Sequence, residues 1–213
     1  MQIKLQRIVP TFIEEEKVTG SQIWNNDILF SGGEKIQVVA PSGSGKTSFI
    51  HFLYGMRRDY TGDLFYNDRN IKGFGPEDFS GYRQKHTSIV FQDLRLFTEQ
   101  TVLQNLEIKR QLCPYHSQSR ITEMSTRLGI VSKLNKPCKT CSYGEQQRIA
   151  IIRSLQQPFD FLLLDEPFSH LDDANRKLAM ELIEEEADLR KAAIILADLK
   201  PTEHYKPGKT IKL

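Results

Sequence analysis

The sequence predicts an α/β protein: a mainly parallel sheet flanked by helices, with an antiparallel β segment at its N-terminus. Three observations predict it. Short β-branched and aromatic runs crowd the first third with no helix between them, which argues for an antiparallel piece. Two continuous apolar runs, FLLLDE (161–166) and AAIILA (192–197), read as strands buried on both faces. Between those two, Leu171, Ala174, Leu178 and Leu182 recur at helical spacing, and strands alternating with helices build a parallel sheet.

Along the chain, IKLQRIV (3–9), SQIWNNDILF (21–30) and KIQVVA (35–40) are expected strands, the last two parted by Gly32 and Gly33. DLFYND (63–68) and TSIVFQ (87–92) follow, separated by a segment holding Gly73, Gly75 and Pro76. From about 95 to 157 the pattern turns helical and polar, with breaks at Pro114, Gly129 and Pro137. No repeat or low-complexity linker divides the 213 residues, so one domain is expected.

Composition narrows the function classes. Hydrophobic residues make up 39%, enough for a sizeable core, and the net charge of +2 makes no case for nucleic acid as a partner. The runs Glu14–Glu16 and Glu184–Glu186 read as solvated faces. AAIILA and FLLL fall far short of the roughly 20 apolar residues that span a bilayer. MQIKLQRIV has no apolar core of a secretory signal, and three cysteines favour a reducing compartment over a disulfide framework. The expected location is cytoplasmic.

KIQVVA-PSGSGKTSFIHFLYG runs strand, glycine-rich loop, helix. Gly45-Lys46-Thr47 match the end of the P-loop pattern G-x-x-x-x-G-K-[ST], with Ala40 at its first glycine. Backbone N–H groups from Gly43 to Lys46 can form an anion nest, and the helix N-terminus adds a favourable dipole. Lys46 would supply charge to the β and γ phosphates, and the Thr47 hydroxyl would bind Mg²⁺. The expected ATP contacts are Pro41, Ser42, Gly43, Ser44, Gly45, Lys46, Thr47 and Ser48. An ordinary glycine turn before a helix is the plainer alternative.

In FLLLDEPFSHLD, Asp165 and Glu166 stand where a buried strand ends, the edge at which open α/β sheets bind ligands. Asp165 would hold Mg²⁺ and Glu166 would polarise the water attacking the γ-phosphate. The competing role is to supply an acidic helix N-terminus, which Asp172 and Asp173 can also fill.

CKTCSYGEQQR (138–148) reads two ways: a Cys-x-x-Cys metal or redox pair, or a loop entering a helix near Gly144. A structural zinc site needs four ligands, and Cys113, Cys138 and Cys141 are joined only by His116 as a weak candidate. The order P-loop, SIVFQ ending in Gln92, CSYGEQQRIAIIRSL and LLLDEP resembles the ATP-binding cassette (ABC) ATPase family over nearly the whole chain. In that alignment Cys141 takes the leucine position of the LSGGQ signature, which favours the helix reading.

The resemblance implies a P-loop NTPase core, about 1–92 and 158–213 including the antiparallel β part, with an inserted α-helical subdomain at about 93–157. It implies that two cassettes, identical or not, close head to tail on ATP and Mg²⁺. Ser142, Gly144 and Glu145 would then meet the nucleotide held by the partner. Gln92 would contact Mg²⁺ and link core to helical subdomain, SHLD (169–172) would line the dimer interface, and the helical subdomain would dock on an integral membrane transporter subunit at the cytoplasmic face. The context resembles compact lipoprotein-release, macrolide-export and cell-division cassettes.

The sequence departs from the family pattern at Ala40, at Tyr143 in place of a signature glycine, and at Ala197, which is expected at the position of the switch histidine. Restoring an imidazole by Ala197→His is therefore expected to raise turnover. Positions 17–19 lack the adenine-stacking aromatic, with Phe12 and Trp24 as substitutes or core residues. An ATPase subunit of a transporter is the leading function. A low-turnover switch signalling through a membrane partner and a soluble ABC protein are the alternatives.

Overall fold

Two sheets share the nine strands of the computed structural model, which describes every residue, Met1–Leu213. In chain order these are β1 (Gln2–Pro10), β2 (Asp27–Ser31), β3 (Lys35–Val39), β4 (Tyr60–Tyr66), β5 (Arg69–Asn70), β6 (Thr87–Val90), β7 (Phe161–Asp165), β8 (Ala193–Asp198) and β9 (Lys209–Lys212). The helices are α1 (Glu15–Thr19), α2 (Lys46–Leu53), α3 (Pro76–Lys85), α4 (Val102–Leu112), α5 (Gln118–Arg127), α6 (Tyr143–Ser154) and α7 (Asp173–Arg190). The N-terminal sheet runs β2-β1-β4-β5 and is antiparallel. The second runs β6-β7-β8-β3-β9 and is parallel throughout.

β7 and β8 lie inside the parallel sheet, so both faces of each strand are covered and their side chains feed two cores alternately. Leu162, Leu164, Ile194 and Leu196 join the core under α4–α7. Phe161, Leu163, Ala193, Ile195 and Ala197 join the other, with Phe49, Ile50, Phe52 and Leu53 of α2 and the inner face of the antiparallel sheet. Each Leu, Ile or Phe among these contributes about 1.5–3 kcal/mol on full burial. The two faces therefore hold the carboxyl ends of β3, β7 and β8 in one row.

β1 and β4 pass so closely at a bulge after Gln6 that a Cβ on Gly62 would lie 2.3 Å from the Arg7 carbonyl oxygen. Gly62 has φ +80°, and only glycine fits both constraints. Helix α5 and the loop before it are fastened to α7 through Glu186, which is almost wholly buried, not on a solvated face as expected, and accepts from Arg120 at 2.7 Å and pairs with His116 at 2.6 Å. Burial opposes its charge, but hydrogen bonds from His116, Arg120 and Arg190 outweigh that and hold its pKa at about 2.

Several expectations need correction. The strand expected over 21–30 begins only at Asp27. Ser21 Oγ accepts from the N–H groups of Ile23 and Trp24, and Asn25 takes φ +59°, so 21–26 turns instead. The segment around Gly73 and Pro76 is not merely a break. Pro76 opens α3, where its missing N–H costs nothing, and Asp78 accepts from the Gly75 N–H. In α7 Ala174 and Leu178 are exposed, and the buried positions are Ala179, Met180, Leu182, Ile183, Glu186 and Ala187. The helix starts at the Asp172 cap, so Leu171 lies outside it. β9 was not foreseen, since KTIK has one buried side chain and follows a polar loop.

Candidate active site

The P-loop leaves β3 and enters α2 through Gly43 and Gly45, with φ of +75° and +99°. These left-handed turns cost glycine little, and a Cβ at Gly45 would meet Trp24 Cζ2 at 3.2 Å. Lys46 is 4% exposed, and its Nζ donates to the Ala40 and Pro41 carbonyl oxygens, each at 3.0 Å. The same ammonium lies 3.4 Å from Glu166 Oε1. Ala40, at the first glycine position, is buried; its carbonyl accepts from Lys46 and its N–H donates to the Asp198 carbonyl at 3.2 Å.

Glu166 leaves β7 with φ +46°, a conformation that costs a non-glycine residue of order 1–3 kcal/mol and recurs at functional sites. Its N–H donates to the Ala197 carbonyl at 2.9 Å, so the sheet itself holds the strained residue. Its other carboxylate oxygen accepts from Gln92 Nε2 at 3.5 Å, and Gln92 Oε1 accepts from Thr47 Oγ1 at 3.2 Å. Lys46, Glu166, Gln92 and Thr47 therefore form one contact chain.

Asp165 sits inside that chain with both carboxylate oxygens buried and unpartnered. Burial raises its pKa to about 6, and the nearby Thr47 hydroxyl opposes this only in part. The single Thr47 hydroxyl proton goes to Gln92, so Asp165 remains unpaired. An orphaned buried carboxyl beside a hydroxyl and an amide oxygen is a hard-oxygen donor set, and Thr47, Gln92 and Asp165 fit Mg²⁺.

Two adjoining cavities flank these groups. One, of about 250 Å³, is lined by Thr47, His51, Gln92, Asp93, Arg95 and Asp165 without an apolar side chain. The other, of about 300 Å³, is lined by Phe12, Ser42, Gly43, Gly45, Lys46, Thr47, Ser48, Gln92 and Glu166. Of the expected loop contacts, Pro41 and Ser44 line neither: the Ser44 hydroxyl donates to the Pro41 carbonyl at 2.8 Å. His51 was missed by sequence reasoning, although it stands four residues after Thr47 and so on the same helix face. Burial and then the Arg95 charge lower its pKa.

Ser142, Gly144 and Glu145 line neither cavity. They open α6: Ser142 Oγ accepts from the Glu145 N–H at 3.3 Å, and Glu145 accepts from the Ser142 N–H at 2.7 Å. Glu145 also pairs with Lys133 at 3.1 Å, so its carboxylate is already engaged and anionic, an unfavourable neighbour for a phosphate. Tyr143 bridges the two regions. Its Oη donates to the Gln92 carbonyl at 3.3 Å, and its ring lies 4.2 Å from that of His170. Gln147 donates to the Glu166 carbonyl and to Ser169 Oγ.

The switch position also needs correction. Ala197 is fully buried, and its side chain points into the α2 core. Asp165 lies opposite Ala197 in the ladder, which puts Asp198 beside Glu166 at the strand ends. Burial, and then the Glu166 charge, raise the Asp198 pKa. A carboxylate, not an alanine methyl, therefore occupies the edge. Ala197→His should not speed turnover. Forcing an imidazole into this core should destabilise the fold by about 1–3 kcal/mol or more, read as a lowered unfolding midpoint in urea.

Of the two aromatic candidates, Trp24 is in the core at 1% exposure, whereas Phe12 is 51% exposed and lines the P-loop cavity. Cys138 and Cys141 are free, buried and part of the core under α4–α7. Burial pushes the Cys138 thiol up to about 11, and His116 is tied to Glu186. Replacing both cysteines by alanine should release no metal and leave nucleotide affinity within about twofold. Elemental analysis and calorimetric titration check this, with a stability loss of about 1 kcal/mol per truncated contact expected.

Comparison with known proteins identifies the family. The family described as "ABC transporter" matches residues 25–169. The lipoprotein-releasing system ATP-binding protein LolD of Syntrophotalea carbinolica is 36% identical over 68% of this chain and 66% of its own length. The glucose import ATP-binding protein GlcV of Saccharolobus solfataricus is 30% identical over 85% of this chain and 52% of itself. The macrolide export ATP-binding/permease protein MacB of Nitrosomonas europaea is 31% identical over 80% of this chain but only 26% of itself. This chain thus spans less than two thirds of each of these relatives. The dimeric bacterial ABC transporter cassette MJ0796 superposes with a TM-score of 0.80 over 93% of this chain and 88% of that one, at 21% identity. A matched segment running from the turn before β2 to the loop after Glu166, on the same fold, means that this chain belongs to the ABC transporter family.

Proposed function

We propose that this chain is the ATP-binding and ATP-hydrolysing subunit that powers a separate membrane-embedded transporter subunit, working as one of two cassettes on the cytoplasmic face. The observation that carries this is the contact chain Lys46–Glu166–Gln92–Thr47 closed around the unpartnered Asp165. Lys46 exchanges its loop carbonyls for phosphate oxygens, a charge-assisted interaction about twice as strong as a neutral one. Thr47, Gln92 and Asp165 would hold Mg²⁺, which would neutralise charge on the phosphates. Glu166 takes the proton of the water that attacks the γ-phosphorus as the bond to the ADP oxygen breaks. A positioned base of this kind is worth about 10²–10⁴-fold in rate.

The partner cassette completes the site. Ser142 and the Gly144 N–H of each chain face the γ-phosphate held by the other, where the α6 N-terminus favours negative charge. The helical segment 93–157 docks on the membrane subunit. Supporting this, Arg153 of α6 donates to the carbonyls of Leu94 and Arg95 at 2.6 and 2.7 Å, so displacement of Gln92 is transmitted into the helices. No helix is long and apolar enough to cross a membrane, and in this reading a membrane-embedded subunit supplies the transport path. The named relatives release lipoprotein, import glucose and export macrolide, so they agree on the motor and not on the cargo.

A second reading, a low-turnover switch without cargo, is favoured by one observation: Asp198 places a carboxylate beside Glu166, where a cation would be needed to steady the γ-phosphate. A tagged chain purified from detergent-solubilised membranes should carry an integral membrane protein and release phosphate from MgATP. Recovery of neither overturns the transporter reading. In vesicles, ATP-dependent cargo movement supports the motor, and slow turnover without cargo supports the switch.

A further inference from the structure

Arg57 is a cation with three attachments, and each leads to the P-loop cavity. Its guanidinium carbon lies 4.6 Å from the centre of the Phe12 ring. Its Nη1 donates to Ser48 Oγ at 2.8 Å, reaching the first turn of the P-loop helix. Its Nε donates to Asp59 Oδ1 at 3.0 Å, and Nη2 pairs with the other Asp59 oxygen. Asp59 in turn pins the loop that carries Phe12, since the Thr11 N–H and hydroxyl both donate to the Asp59 carbonyl, at 3.0 and 3.1 Å.

The geometry explains why an exposed phenylalanine can hold its place. Phe12 stands in a turn between β1 and α1, with half its surface in solvent. An exposed ring on a loop would otherwise sample several rotamers and lose the preorganisation that a flat ligand needs. Arg57 covers one face, a cation–π contact, and its bidentate fork on Asp59 fixes the guanidinium plane. The remaining surface of the ring lines the cavity that also holds Ser42, Gly43, Lys46 and Thr47. A flat heteroaromatic group bonded to a triphosphate would meet the ring with its base and the loop with its phosphates.

We infer that Arg57 is the positioning residue of a nucleobase platform: it clamps Phe12 so that the free face of the ring stacks on the base. The inference rests on the nucleotide-binding reading above. It adds that base affinity is set by a cation outside the P-loop, acting through Phe12 and not on the phosphates. Stacking reads the π-face and not the base edge, so adenine and guanine nucleotides should bind alike.

The test compares ATP with inorganic triphosphate, which has the phosphates and no base, by calorimetric titration of the full chain. Wild type should bind both. Phe12→Ala should weaken ATP about tenfold, the order expected for one lost base stack, and leave triphosphate within about twofold. Arg57→Lys keeps the charge but loses the planar fork. It should weaken ATP about three- to fivefold, the order of one exposed cation–π contact, and leave triphosphate unchanged. Adding Arg57→Lys to Phe12→Ala should cost nothing more, since Arg57 then has no ring to hold. Unchanged triphosphate binding also reports that each variant retains its folded loop. Arg57→Lys that weakens both ligands equally, leaves ATP untouched, or adds fully to Phe12→Ala overturns the inference. A wild-type chain that binds neither ligand removes the nucleotide reading itself, a different failure from tight triphosphate binding with no advantage for ATP.

Discussion

Lys46→Ala is expected to weaken MgATP binding by at least about a hundredfold. Two terms add. The ammonium is the only cation lining the P-loop cavity, and a hydrogen bond to a charged partner is worth about 1.5–3 kcal/mol. Its removal also leaves the Glu166 carboxylate, 14% exposed and now 3.4 Å from nothing that neutralises it, facing an incoming triphosphate. About 1.4 kcal/mol changes affinity tenfold, so the two terms together exceed a hundredfold. The fold should survive, because Lys46 donates only to two loop carbonyls that can turn to water. Calorimetric titration of a variant with an unchanged circular dichroism spectrum reads the effect. Affinity equal to wild type would remove the phosphate-loop assignment.

Glu166→Gln is expected to stop hydrolysis, by about 10²–10⁴-fold, while ATP stays bound. Glutamine keeps the size of the side chain and its hydrogen bond to Gln92, but it cannot take a proton from water. The substitution also frees Lys46 from its ion pair, so ATP affinity should hold or rise. Unhydrolysed ATP should then keep two chains together, because each γ-phosphate would bridge Lys46 of one cassette and Ser142 of the other. Phosphate release measures the first effect, and size exclusion with ATP and Mg²⁺ measures the second. A variant as fast as wild type would take Glu166 out of the mechanism, and a monomer saturated with ATP would take Ser142 out of the shared site.

What was legible in the sequence was local. The P-loop could be read because its function depends on contiguous backbone: glycines with positive φ, a lysine one residue on, and a helix N-terminus just after it. Asp165 and Glu166 could be read because a short apolar run ending in acids specifies both a buried strand and its carboxyl edge. The entry into α6 near Gly144 could be read from the resemblance of CSYGEQQR to the family signature, whereas the reciprocal Ser142–Glu145 cap that starts the helix at Tyr143 is a finding of the structure.

What only the tertiary structure decided concerned side chains whose neighbours lie far along the chain. A strand buried on both faces carries no alternation to say which side a residue faces, so the sequence could not tell that Ala197 enters the α2 core while Asp198 ends the strand at its carboxyl edge. Phe12 and Trp24 are both aromatic residues near the first strand. The contacts of Trp24 with Phe49 and Phe52 put it inside, while the pairing of Thr11 with Asp59 holds Phe12 at the cavity. Tyr143 looks like a bulky misfit until Gln92 and His170, 51 and 27 residues away in sequence, are found against its hydroxyl and ring. Local sequence determines backbone conformation and capping because their partners are a few residues apart. The face a side chain takes depends on which of two cores closes over it, and that is decided only when distant segments pack.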